Sequence, residues 1–203
     1  MNFAQLQVEV VTITNRPDLV NETSLAVRKA TQRIHSIEFW PQDLVETNLT
    51  LSALAFSGQI DTTQSPFIRF KVAKYLREYN PIHTGIERYL DRMEVDQLND
   101  SYGLERSNIW YPAGSVINWK VGPSTVATGG ISGLTVGYYQ SPDINPATFS
   151  SWIANAEPWV IIQDASASIL RMTGQPELAN GLVMEAKEST QLLIQNYLEG
   201  GGR

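Results

Sequence analysis

The chain has 203 residues, no cysteine, and 15 basic against 21 acidic side chains, for a net charge of −6. A fold of this size buries roughly 70 % of its unfolded surface and needs no disulfide staple, and the missing thiol excludes disulfide and thiolate chemistry. The acidic balance argues against a chain whose main task is gripping nucleic acid, which requires a surplus of Lys and Arg on one face.

The first segment, MNFAQLQVEVVTITNRP, has no basic leader and carries a polar residue at every second or third position. Neither a signal peptide nor a membrane anchor is expected, and no apolar run approaches the roughly 18 residues of a membrane span. Phe3, Leu6, Val10 and Ile13 fall on one helical face, which NRP ends. A second helix is expected after the capping residues of NETS, with Val27, Ala30, Ile34 and Ile37 as its stripe, Arg28, Lys29 and Arg33 solvated, and Pro41 at its exit.

From about residue 43 the period changes to two. Val45, Thr47, Leu49 and Leu51 alternate with polar residues, as do Ile68, Phe70 and Val72, then Ile117, Trp119 and Val121, then Leu134, Val136 and Tyr138. Turn formers separate these runs at SGQ, QSP, YNP, PAGS, VGPS and TGG, and RMEVDQLND is read as a short helix between them. After YYQSPDINP the helical period returns with Trp159, Ile162, Ala165, Ile169 and Met172. Gly174 ends that helix, and Pro176 starts another with Leu178, Leu182, Ala186, Ser189, Leu193 and Tyr197 facing inward. The expected fold is α+β: a helical bundle formed by N- and C-terminal helix pairs (residues 1–40 and 143–199) carrying a β-rich central insertion (41–142), with a flexible tail over 200–203.

Little in the sequence points to chemistry. GPSTVATGGISG has neither the Walker spacing nor G-x-G-x-x-G, so no nucleotide site is expected. His35 and His83 have no partner at metal-ligand spacing, so neither a metal nor another cofactor is expected. The run ERYLDRMEVDQLND holds Glu87, Asp91, Glu94, Asp96 and Asp100 with Arg88 and Arg92 between them. Mixed signs suit a solvated, ion-paired face; a paired-carboxylate glycosidase is the other reading. Trp110, Tyr111, Tyr138 and Tyr139 are read as exposed aromatics of a protein interface or a sugar site, the interface being the commoner use.

With its elements in order, the chain resembles the head-to-tail adaptor (connector) proteins of tailed bacteriophages. The resemblance is carried by RIHSIEFWPQD, FIRFKVAKYLREYN, DSYGLERSNIWYPAGSVINWKV and the long stretch from LTVGYYQSPDINPATFSSWIANAEPWV to the last helix, and so spans nearly the whole chain. Its markers here are Tyr138, Tyr139, Pro142, Trp152, Glu157 and Pro158. It implies a non-enzymatic protein of the virion neck, made in the host cytoplasm, that docks as a ring on the portal protein beneath a filled head. Its partners would be the portal, tail or nozzle proteins and further copies of itself, following the twelvefold portal, with genome DNA passing through the bore unbound. C-terminal segments of this family reach the portal, which marks Tyr197, Leu198, Glu199, Gly200, Gly201, Gly202 and Arg203 as a docking tail. Trp152 joins the four aromatics above as a candidate interface residue. A neck stopper or tail-completion protein, and a small cell-wall glycoside hydrolase, are the competing readings.

Overall fold

The computed structural model describes residues 1–79, 88–98, 106–122 and 130–199. The chain divides into two units, one from Met1–Asp43 with Ser141–Arg203 and the other Leu44–Gln140.

The first unit is helical: α1 (Phe3–Thr14), α2 (Val20–Ile37), a short α3 (Trp152–Ala156), α4 (Pro158–Met172) and α5 (Pro176–Ile194). Helix α1 opens with a reciprocal cap, in which the Asn2 side chain accepts from the Gln5 N–H and the Gln5 side chain accepts from the Asn2 N–H. It closes at Asn15 in the left-handed region, a conformation Asn tolerates. Helix α4 starts with Pro158 in its first turn, where a missing N–H costs nothing. Val160, Ile161, Ile162, Ala165, Ala167, Ile169 and Leu170 are all buried, so α4 is apolar around most of its circumference. Such a helix belongs at a centre, and α1, α2 and α5 pack around it. The inward face of α5 is Ala179, Ala186 and Leu193, whose two small residues let its backbone approach α4 closely.

Polar ties set the arrangement. Arg33 of α2 donates to Asp164 of α4 at 2.6 Å, and the Ser189 hydroxyl and Glu185 of α5 both bond to Gln163 of α4, at 3.2 Å each. Burial pushes the Asp164 carboxyl above the usual range, against the pull of Arg33. Several expected stripe residues face water instead: Ile13, Ile37, Trp159, Met172 and Leu178 are exposed. Ile13 lies in the last turn of α1 one residue out of phase with the core, where Thr14 is buried in its place.

Among the described residues the second unit holds seven strands: β1 (Leu44–Ala55), β2 (Ser57–Asp61), β3 (Phe70–Glu78), β4 (Tyr89–Arg92), β5 (Ile109–Ala113), β6 (Val116–Lys120) and β7 (Ile131–Gln140). They form one mixed sheet in the order β1-β7-β3-β4-β5-β6-β2, in which β4 and β5 run parallel and the other described pairs antiparallel. The edge strands β1 and β2 are separated in sequence by Phe56 alone. The sheet must therefore curl until its two edges meet at that residue, whose carbonyl accepts from the Val121 N–H at 2.7 Å. Inside the curl lies a separate core that includes Leu76, Trp110, Ile117, Trp119, Leu134, Val136 and Tyr138.

This corrects the expected fold class. The middle of the chain is not a β-rich insertion carried by a helical bundle; it is a large central sheet with its own core, with helices before and after it. The difference comes from three strands whose sequences hide them. SGQID reads as a turn, but Gly58 is there because a Cβ would sit 2.8 Å from the Trp119 indole. YLDR reads as a solvated charge run, and β5 contains Pro112, which lies beyond the two residues that pair with β4. Ile68, expected in a strand, precedes β3 and is exposed.

Candidate functional site

The most elaborate polar arrangement in the described residues lies in the helical unit, where α2 ends and α3 begins. After Ile37 the chain turns so that Trp40 is fully buried, its indole N–H donating to the Ile34 carbonyl at 3.2 Å. One tight turn over Pro41–Asp43 then carries Asp43 back under α2. His35, on the buried side of the last turn of α2, places Nδ1 2.8 Å from one Asp43 oxygen and 3.1 Å from the other. Its Nε2 lies 2.9 Å from Ser151 Oγ. Ser151 is the cap of α3, accepting from the Ala154 N–H at 3.2 Å, and Trp152 donates its indole N–H to Asp43 at 3.0 Å.

Protons can be assigned to satisfy every group. With Nδ1–H donated to the carboxylate, Nε2 is left to accept the Ser151 hydroxyl proton, while Ser151 Oγ accepts the α3 backbone N–H. Aromatic rings close the arrangement: Trp152 meets Trp40 edge-on at 5.5 Å, His35 at 6.1 Å, and Tyr197 at 5.0 Å. Tyr197 sits in the wide helical turn Gln195–Glu199 that follows α5, so the C-terminal helix is tied to the same point.

The order Asp43, His35, Ser151 is that of a nucleophilic triad. Its surroundings are not. Ser151 and His35 are 4 % and 3 % exposed, and the serine oxygen is committed to capping α3. A nucleophile needs an approach for its substrate, and here the three side chains instead cross-link α2, the 41–43 turn and α3. No local spacing announces them, because residues 35, 43 and 151 meet only through the fold. Their sequence trace is indirect: His35, Trp40 and Asp43 lie in RIHSIEFWPQD, and Ser151 and Trp152 lie in the stretch after YYQSPDINP.

The expected interface aromatics are scattered. Trp110 and Tyr138 are buried in the sheet core, and Tyr139 is also buried, with the Lys74 amine 5.6 Å from its ring centre. These three are corrections to the exposed reading. Strand β7 runs between β1 and β3 and is covered on both faces, so its alternation does not mark a wet side; Tyr138 packs against Phe67 and Phe70. Tyr111 is half-buried on the outer face of β5, beside an open recess of about 330 Å³ that also involves Gln59, Asn118 and Arg106. Trp152 is half-buried in the junction just described.

Of the proposed tail, Tyr197 and Leu198 pack half-buried against the helical core, Glu199 ends the wide turn, and Gly200, Gly201, Gly202 and Arg203 lie outside the described residues. In the acidic run, Asp91 is on β4, Glu94 precedes a single tight turn and Asp96 lies within it; all three are exposed. Arg92 approaches Glu94 at 3.9 Å, while Arg88 pairs with Glu78 of β3 instead. Glu87, Asp100 and His83 lie outside the described residues. Among the described residues no three His, Asp or Glu side chains gather as a metal site requires, and no helix is long and apolar enough to cross a membrane. No protein-family model matches the chain, and no curated protein matches it.

Proposed function

We propose that the protein is a head-to-tail adaptor of a tailed bacteriophage, docking as a ring on the portal and linking the DNA-filled head to the tail. The observation that carries this reading is the junction around Asp43. Two sequence segments that resemble the adaptor family, 108 residues apart at Asp43 and Ser151, meet there in one buried network, and that network positions elements instead of exposing a reactive group. A connector needs fixed geometry at such a place. The net charge of −6 accords with a bore that repels phosphate, so that DNA slides without binding. The other partners on this reading are tail or nozzle proteins, and the location is the virion neck.

On this reading the docking element is residues 200–203, since Ile194, Tyr197 and Leu198 of the expected tail region serve the helical core. Deleting residues 200–203 is expected to leave the melting temperature unchanged, since the core packing stays. Portal binding is expected to weaken tenfold or more, the worth of one hydrogen bond to a charged group such as Arg203 at about 1.5–3 kcal/mol. Co-sedimentation of the full and shortened chains with portal rings measures this, and equal binding by both would place docking on another surface.

A further inference from the structure

Helices α2 and α5 attach to separate sides of α4. Arg33 of α2 holds Asp164, Glu185 of α5 is held by Gln163, and neighbouring residues of a helix point ~100° apart. Both helices carry large apolar side chains in water: Val20, Leu25 and Ile37 on α2, and Leu178, Met184 and Leu192 on α5, the last three between 58 % and 65 % exposed. Their charges are opposite in bias. Helix α2 bears Arg28, Lys29 and Arg33, the last already paired with Asp164, against Glu22, whereas α5 bears Glu177, Glu185 and Glu188 against Lys187.

On α2 the outward row is Leu25, Lys29, Gln32, and on α5 it is Glu177, Met184, Glu188; in each an exposed apolar residue is one or two turns from a charge. Among the described residues Lys29, Glu177 and Glu188 take part in no ion pair. The two faces thus each lack what the other supplies.

From this we infer that the outward face of α2 in one copy docks on the outward face of α5 in the next copy, Leu25 against Met184 and Lys29 against Glu177 and Glu188. The occupant of each face is therefore a second copy of this chain. Because the two faces differ and lie on different sides of α4, the contact is head-to-tail: every copy added leaves one free face of each kind, and growth stops only when a ring closes. This deepens the adaptor reading and rests on it for the setting, a ring on a portal.

The chain has no cysteine, so introduced thiols report the contact directly. Leu25→Cys and Met184→Cys are both at exposed positions. With a short bis-maleimide, the double variant is expected to give a ladder of dimers, trimers and higher species, on portal rings or in concentrated solution. Each single variant alone gives none, and an equal mixture of the two singles stops at dimers. Lys29→Glu in the double variant is expected to suppress the ladder, and adding Glu188→Lys to restore it. A Leu25→Cys chain that cross-links to itself, or a double variant that yields no ladder in either setting, overturns the proposed contact. A ladder without portal binding would keep this contact and refute the adaptor reading; portal binding without a ladder would do the reverse.

Discussion

Asp43→Ala is expected to destabilise the helical unit by about 2–5 kcal/mol, because it strips the acceptor from the buried His35 imidazole and the half-buried Trp152 indole at once. His35 Nδ1 and the Trp152 indole N–H both point at this carboxylate, at 2.8 Å and 3.0 Å, and Asp43 is only 8 % exposed. Neither donor can turn to water without disturbing Trp40, which is fully buried against Trp152. A domain is held by only about 5–15 kcal/mol in total, so the loss is a large share of the stability. Urea unfolding read by tryptophan fluorescence measures it as a fall in midpoint. Asp43→Asn keeps an acceptor and is expected to lose roughly half as much, and pairing Asp43→Ala with His35→Leu is expected to cost less than the sum of the two single changes. A loss under about 0.5 kcal/mol for Asp43→Ala would mean that water replaces the carboxylate freely, and that the junction is not a fixed point.

The sheet unit should respond as sharply to a single methyl group on β7. At Gly133 a Cβ would lie 2.6 Å from the Leu49 carbonyl oxygen and 3.1 Å from that of Tyr79. Both are backbone atoms of the flanking chain on either side of β7, so relief requires a strand to move and not a side chain to rotate. Gly133→Ala is expected to cost about 3 kcal/mol, at the upper end for overpacking. Gly181 gives the opposite result in the same assay. Nothing lies near a Cβ built there on α5, and alanine in a helix interior is favoured by up to about 1 kcal/mol. Stability curves that moved together for these two variants would show that β7 is not confined by its neighbours.

The helices were easier to read than the strands, for reasons visible in particular residues. In α1 and α2, Phe3, Leu6, Val10, Val27, Ala30 and Ile34 are buried as a 3.6-residue period requires, and the errors fall at helix ends, where one residue of drift exchanges Ile13 for Thr14. In α4 the expected stripe holds at Ile162, Ala165 and Ile169 but is incomplete, because a central helix is buried on several sides and one stripe cannot describe it. In α5 the true inward face runs through Ala179, whose small side chain gives a weak apolar signal, while the more apolar Leu178 faces water. Strands β2, β4 and β5 were hidden by a glycine required for packing, a run of mixed charge and a proline. The network at Asp43 was not legible at all. Hydrogen bonds between residues 35, 43 and 151 follow from tertiary packing, and neither periodicity nor motif spacing encodes them.

Electron microscopy of the protein mixed with portal rings encoded by the same genome tests whether it is a portal-docking adaptor. The expected result is a second ring stacked on one end of the portal, with the portal's own symmetry and an open bore, formed from a protein that is monomeric or weakly associated alone. Portal rings that stay bare at saturating protein, or a tight dimer or tetramer indifferent to portal, would contradict it.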